Sequence, residues 1–276
     1  MKGTRFMCGS VSLAILLLAV LGSGATLAVA GEGSPQGPAA AEQPAASASA
    51  DKTGTNPVNL QNEWRLANEF FALPNGAVQN KTLIRYTMPF NQQPSGMNNM
   101  SFRLTMPLVT TDIGGDTDFG YGDTELKWTW VAKANRKNAV AFAVDSGWDT
   151  ATKDSLGTGQ NWLAPQVFYA MFLNKRTIFA PAFLHKFDIS GSNDRADIGQ
   201  SIFDFYYVYA LAPGQWLVVD PQLIFDHELD ETSGQVEVEY GRMMGGGMSF
   251  YIRPGFPVGN NEYMDWNLKL GLKSVF

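Results

Sequence analysis

The sequence predicts an all-β chain, a transmembrane antiparallel β-barrel of about twelve strands. Three observations lead there. An export signal opens the chain, amphipathic period-two segments fill it from Lys81 onward, and short and long connections alternate between those segments. The stretch Phe119–Lys133, FGYGDTELKWTWVAK, shows the pattern on a small scale: Leu126, Trp128 and Trp130 alternate with Glu125, Lys127 and Thr129. Successive side chains of a strand point to opposite faces, so one face here is greasy and the other charged. A soluble sandwich would bury the greasy face under a second sheet, whereas a barrel in a membrane would give it to lipid.

The N-terminus favours the membrane. Lys2 and Arg5 form a basic start, Ser12–Val20 (SLAILLLAV) is a compact apolar core, and Ala28-Val29-Ala30 is an A-x-A cleavage site. That order reads as a secretory signal over residues 1–30 rather than an uncleaved anchor helix. The single cysteine, Cys8, precedes the apolar core and would leave with the signal, so the exported chain would have no disulfide, thiol nucleophile or Cys metal site. Losing Lys2 and Arg5 lowers the basic count from 20 to 18 against 26 acidic residues, so a net charge of −6 becomes −8. An acidic export product is a poor partner for nucleic acid. Residues 31–57 are rich in Ala, Pro, Ser and Gly and nearly free of large apolar side chains, which predicts a flexible periplasmic leader. Residues 58–276 remain for the barrel.

Taken in order, Leu60–Phe71 reads either as a first strand or as a short plug helix. After it, Ile84, Tyr86 and Met88 alternate with Arg85 and Thr87, and Phe102, Leu104 and Met106 with Arg103 and Thr105. The Trp128/Trp130 strand follows, and then Val140, Phe142 and Val144 alternate with Ala141, Ala143 and Asp145. Trp162–Phe172 and Ile178–Phe187 are strand-like with ambiguous facing. Phe203, Phe205, Tyr207 and Tyr209 alternate with Asp204, Tyr206 and Val208, and Leu217, Val219, Leu223 and Phe225 with Asp220, Gln222 and Asp226. Val236, Val238 and Tyr240 alternate with Gln235, Glu237 and Glu239. Phe250 and Ile252 precede Arg253, and Trp266, Leu268, Leu270, Leu272 and Phe276 share a last strand with Lys269 and Lys273.

The connections give the orientation of the barrel in the membrane. Ala132–Asn138, Leu173–Arg176, Ala212–Gln215 and Met243–Gly247 are short. Thr110–Gly122, Asp149–Gln160, Asp188–Asp197, His227–Gly234 and Gly255–Asn261 are longer and polar. Outer-membrane barrels have short periplasmic turns and longer outer loops. If Leu60–Phe71 is the first strand, both termini fall on the periplasmic side.

Three stretches carry a family resemblance. FGYGDTELKWTWVA (Phe119–Ala132), NWLAPQVFYAMF (Asn161–Phe172) and the closing NLKLGLKSVF (Asn267–Phe276) resemble the outer-membrane protein family linked to the meta-pathway of phenol degradation. The resemblance spans roughly residues 59–276. It implies a barrel of about twelve strands that passes small solutes, aromatic or hydrophobic ones among them, and it brings no shared catalytic residues. The amphipathic strand ending in Phe276 also resembles the terminal strand that the barrel-assembly machinery reads.

On this reading the lumen-facing candidates are Arg85, Arg103, Glu125, Lys127, Asp145, Asp204, Asp220, Asp226, Glu237, Glu239, Arg253, Lys269 and Lys273. Their charges would tune a polar channel or pair across a filled, structural barrel. The lipid-facing or girdle candidates are Tyr86, Phe102, Trp128, Trp130, Phe142, Phe205, Tyr207, Tyr209, Phe225, Phe250, Trp266 and Phe276. Enzyme signals are thin. His185 and His227 read as solvated or interfacial, and neither Ser201 nor Ser249 has a histidine near it in sequence. The acidic segments around Asp116 and Glu228 match no EF-hand spacing, and Gly241–Phe250 lacks the Lys-Ser/Thr of a phosphate loop. No cofactor and no metal site is expected. The readings left are a channel for small solutes, a closed partner-binding barrel, and a barrel lipid hydrolase.

Overall fold

Period-two alternation becomes a single antiparallel sheet that closes on itself. The computed structural model describes residues 53–259 and 263–276. The signal segment, Cys8 and most of the leader lie outside the described residues. The strands are β1 (Glu63–Ala72), β2 (Val78–Gln92), β3 (Asn98–Thr111), β4 (Asp118–Tyr121), β5 (Thr124–Ala134), β6 (Asn138–Trp148) and β7 (Gln160–Asn174). They continue as β8 (Thr177–Gly191), β9 (Gly199–Ala212), β10 (Gln215–Asp226), β11 (Glu231–Gly245), β12 (Met248–Val258) and β13 (Trp266–Val275). β4 and β5 both pair with β3, with the register stepping by one residue across Gly122-Asp123, so they are one barrel strand broken by an irregularity. That leaves twelve strands in the ring. β1 pairs with both β13 and β2, which joins the ends of the sheet. Closure matters because a membrane offers no water to an unpaired strand edge.

Leu60–Phe71 thus resolves as a strand, not a helix: its core is β1, in continuous register with Lys269, Gly271 and Lys273 on one side and with Lys81, Leu83 and Arg85 on the other. Several strands reach 15 residues. This exceeds the ~9–11 that a crossing strand needs. The surplus lies at the long-loop end, where all five predicted loops turn out to be partly strand, with β8 running to Gly191 and β7 starting at Gln160. β3 and β4 pair through Thr111 and Asp118, β12 runs to Val258, and β10 and β11 are joined by only residues 227–230. At the other end the connections are tight. Gly245, Gly246 and Gly247 all take positive φ (102°, 59° and 80°) between β11 and β12, a conformation that would strain any residue with a Cβ.

Prolines interrupt the ladders at several points. Pro165 keeps register with Val144, Pro181 with Phe205, Pro221 with Val236 and Pro254 with Leu268, but each is skipped by its other neighbouring strand. A proline has no N–H to donate, so each occupies one seam where a ladder bond is missing. Elsewhere aromatic side chains inside the barrel lie over glycines in the adjacent strand: Trp162 over Gly147, Trp216 over Gly241 and Tyr251 over Gly271, all direct register partners. A Cβ at any of these glycines would collide with the ring.

Candidate channel interior

The two faces of the ring differ sharply. Leu66, Phe102, Trp128, Trp130, Phe142, Phe205, Tyr207, Tyr209 and Trp266 lie on the outer surface, each 36–50% exposed. Tyr86, Phe225 and Phe250 share that surface, and Phe276 ends the chain there with its N–H donated to the Asn62 carbonyl. Outer aromatics gather near both ends of the strands. Trp64 packs on Tyr86 (ring centroids 4.7 Å) and Trp130 on Phe142 (5.8 Å) toward the short turns, and Phe70 on Trp266 (5.2 Å) toward the long loops.

Of the charged positions read as lumen-facing, Asp220, Glu237, Glu239 and Lys273 are buried, Arg103, Lys127, Asp145, Arg253 and Lys269 are ion-paired, and β1 contributes Glu63, Arg65 and Glu69 to the same set of pairs. Their signal was in the sequence, since Glu63 and Arg65 alternate with Trp64 and Leu66, but it could not be used while that stretch stood as strand or plug. In two places the interior sets like charges side by side. Arg65 is the direct register partner of Arg85, and Arg103 of Lys127, so four cations follow one another across β1, β2, β3 and β5. Both ends of this arc meet a counter-charge: Arg65 Nη2 lies 2.7 Å from Glu63 Oε1, and the other end reaches Asp145. Lys127 Nζ lies 2.7 Å from Asp145 Oδ2 and 2.7 Å from Gln166 Oε1, while Arg103 approaches Asp145 at 3.6 Å. Arg85 Nε donates to Thr105 Oγ1 at 3.2 Å.

Half the ring away, β9, β10 and β11 carry Asp204, Asp220, Glu237 and Glu239, with Asp220 the direct partner of Glu237. Arg253 on β12 enters this acidic arc. Its Nε donates to Glu237 at 2.6 Å, Nη1 lies 3.6 Å from Glu239, and Nη2 pairs with Asp220. Lys269 Nζ (2.9 Å) and Asn267 Nδ2 (2.6 Å) complete the shell of Glu237, and Trp216 Nε1 donates to Glu239 at 2.7 Å. Asp226 lies farther up the same wall, where it accepts from Gln200 Nε2 at 2.9 Å.

Residues 53–59 are drawn into the short-turn mouth. Lys273 Nζ donates to the Thr53 carbonyl at 3.1 Å while lying 5.2 Å from the Trp216 ring and 5.4 Å from the Tyr251 ring. Thr55 and Asn56 are buried, and Val58 packs on Ala139, Ala170 and Ala180 together with Phe172. This strap has a cavity of about 600 Å³ on one side and one of about 360 Å³ on the other, both lined by Asn56. At the opposite end the long loops brace one another. Arg195 donates to the carbonyls of Asp154 (2.7 Å), Gly157 (2.6 Å) and Thr158 (3.1 Å), and Asp118 holds Ser155 Oγ at 2.6 Å and Lys153. Among the described residues no group of three or more His, Cys, Asp or Glu is arranged to hold a metal ion.

This geometry has solved counterparts. The chain superposes on an outer-membrane channel from Pseudomonas putida F1 with a TM-score of 0.68, at 11% identity over 81% of this chain and 98% of that one. The fold is that of an outer-membrane barrel. The KdgM porin and the NanC porin each match at a TM-score of 0.54 and 9% identity, over 78% of this chain and 99% of theirs. At these identities the likeness is one of fold. No protein-family model matches the sequence, and no curated protein does.

Proposed function

We propose that this chain resides in the outer membrane and is a channel for small solutes. The carrying observation is that the interior sets like charges side by side. Like charges held directly opposite across a strand seam are destabilising, and alternating signs would have been the stable choice. A cationic arc facing an acidic arc sets up a field across the lumen, which selects among permeating solutes. The resemblance to the outer-membrane family linked to phenol degradation suggests small aromatic solutes; one bearing a polar or anionic group would orient between the arcs. In this reading the outer aromatics contact lipid and its interfaces, and the strand ending at Phe276 is the one the barrel-assembly machinery recognises. No step here asks for catalysis, a cofactor or nucleic acid.

The test is planar-bilayer conductance of the refolded barrel beside an Arg103→Ala/Lys127→Ala variant. Conductance steps with a shift toward cation preference in the variant support the reading. A second reading, a closed structural barrel, draws on the pairing of Arg253 with three carboxylates and on the strap in the mouth. A folded, inserted barrel that stays silent with the strap removed would favour it and overturn the channel.

A further inference from the structure

We infer that Ser201, bracketed by His185 and His227 on the outer face of the barrel, is the nucleophile of a second site that cleaves long-chain acyl esters lying in the membrane surface. The three residues are scattered in sequence, but the register of β8, β9 and β10 gathers them. His185 is the direct partner of Ser201, Ser201 that of Phe225, and His227 comes two residues after Phe225, immediately past the end of β10. Ser201 Oγ lies 3.0 Å from His185 Nδ1 and 2.9 Å from His227 Nε2, and the two imidazole centroids are 5.7 Å apart.

The site is held in place. The His227 N–H donates to the Gly199 carbonyl at 2.7 Å, which keeps this imidazole over β9. Asp226 Oδ1 accepts the N–H groups of Glu228 and Leu229 at 3.1 Å each, which fixes the turn that carries His227. Phe187 stacks on His185 with centroids 5.8 Å apart.

Hydrogen-bond accounting gives the trio its chemistry. A serine hydroxyl has one proton, and a neutral imidazole is a donor at one nitrogen and an acceptor at the other. Facing two imidazole nitrogens, Oγ donates to one and accepts from the other, so one histidine always stands ready to take the Oγ proton. Both distances lie within the range required of a nucleophile and its base. The step balances. Oγ forms a bond to the ester carbonyl carbon as its proton passes to the accepting imidazole, and the carbonyl π pair moves onto the carbonyl oxygen, to return when the tetrahedral intermediate collapses. The C–O bond to the alcohol then breaks, and the imidazolium returns the proton to the departing alkoxide. Water repeats the sequence to release the acid and restore Ser201.

The surroundings specify a long acyl chain. One row nearer the middle of the barrel on the same face, Phe203 packs on Phe183 at 4.9 Å and on Phe225 at 6.0 Å. Phe183 and Phe203 are 37% and 39% exposed, an aromatic shelf open to the surroundings. A chain on this shelf puts its ester at Ser201, and the alcohol then projects toward the long loops and water.

The experiment uses barrel purified from membranes in detergent, with p-nitrophenyl decanoate and p-nitrophenyl acetate as substrates and a fluorophosphonate as covalent label. Wild type should be labelled at Ser201, located by peptide mass, and should turn over the decanoate faster than the acetate. Ser201→Ala should abolish the label, and Ser201→Ala, His185→Ala and His227→Ala should each lower turnover, the serine variant by ~10²-fold or more. Heat-modifiable migration and bilayer conductance should not change in any variant, which separates loss of chemistry from loss of fold. Turnover that is the same in folded Ser201→Ala, or a folded wild type that neither labels at Ser201 nor hydrolyses the decanoate, would overturn the assignment.

Discussion

Replacing Arg253 with alanine tests whether the barrel interior is dry protein or wet channel. Arg253 is the one cation bonded to three members of the acidic arc, and the side chains are well shielded: 15% exposed for Arg253, 5% for Asp220, 1% for Glu237 and 7% for Glu239. Two charges 4 Å apart interact by ~4 kcal/mol at an effective dielectric of about 20 and by ~1 kcal/mol in water. Removing one partner of a buried pair typically costs about 3–5 kcal/mol, because the other charge stays behind uncompensated. Glu237 would keep Lys269 at 2.9 Å and Asn267 at 2.6 Å, so the orphan is chiefly Asp220. Arg253→Ala should therefore lower unfolding stability by ~3 kcal/mol or more, and adding Asp220→Asn should return more of that loss than adding Glu237→Gln. Urea titration of the refolded barrel in detergent, followed by tryptophan fluorescence, reads both effects. Trp216, bonded to Glu239, is a reporter inside the network. A loss below about 1 kcal/mol, the range of exposed pairs, would refute the claim that this arc is desolvated.

Three further outcomes follow from the same geometry. Gly241→Val drives a side chain into the Trp216 ring and should cost ~1–3 kcal/mol as overpacking, read as a lower urea midpoint with loss of the Trp216 to Glu239 hydrogen bond. Lys273→Ala removes the donor to the Thr53 carbonyl and should raise the open fraction in bilayer recordings, whereas unchanged gating would free the strap from that role. Arg195→Ala removes three hydrogen bonds to the β6–β7 loop and should speed proteinase cleavage between Thr150 and Gly159. Because Arg195 sits in a loop, the unfolding midpoint should stay within ~0.5 kcal/mol of wild type.

Most of the barrel could be read from residues because its rule is local. Trp128 and Lys127 must face opposite ways in any strand, whatever surrounds them. What stayed out of reach depends on pairing between strands. Whether Glu63–Ala72 was strand or helix turned on its two neighbours, β13 and β2, more than on its own mixed pattern. Trp162 and Trp216 point inward against the greasy-outside rule because Gly147 and Gly241 leave room for their rings, and that room exists only in the observed register. Ser201 lies 16 residues from His185 and 26 from His227, so no spacing in the sequence announces the trio; hairpin register alone assembles it. The predicted loop His227–Gly234 failed for a related reason. Its polar residues look like loop because they extend a hairpin past the apolar band, where a strand no longer needs an apolar face.

The strap and the Arg103–Lys127 end of the cationic arc share no bonded partner, and that separation has a consequence for permeation. The strap is fastened at the short-turn mouth, through Lys273 and through Val58 on the Ala139/Ala170/Ala180 patch. The arcs run through strand interiors, with Arg103 on β3 and Asp220 on β10 half the ring apart. An obstruction at one mouth controls how often a path exists. A transverse field along the path controls which solute takes it. Because different residues set the two, their perturbations should add without interaction, as separated sites do. Lys273→Ala should change open fraction and leave ion preference alone, and Arg103→Ala/Lys127→Ala should do the reverse. In the combined variant each effect should keep its size. If Lys273→Ala alone shifted ion preference, the strap itself would be the selective element, and the interior charges would revert to a structural puzzle: like pairs such as Arg65 with Arg85, held at a cost, with no permeating solute to explain them.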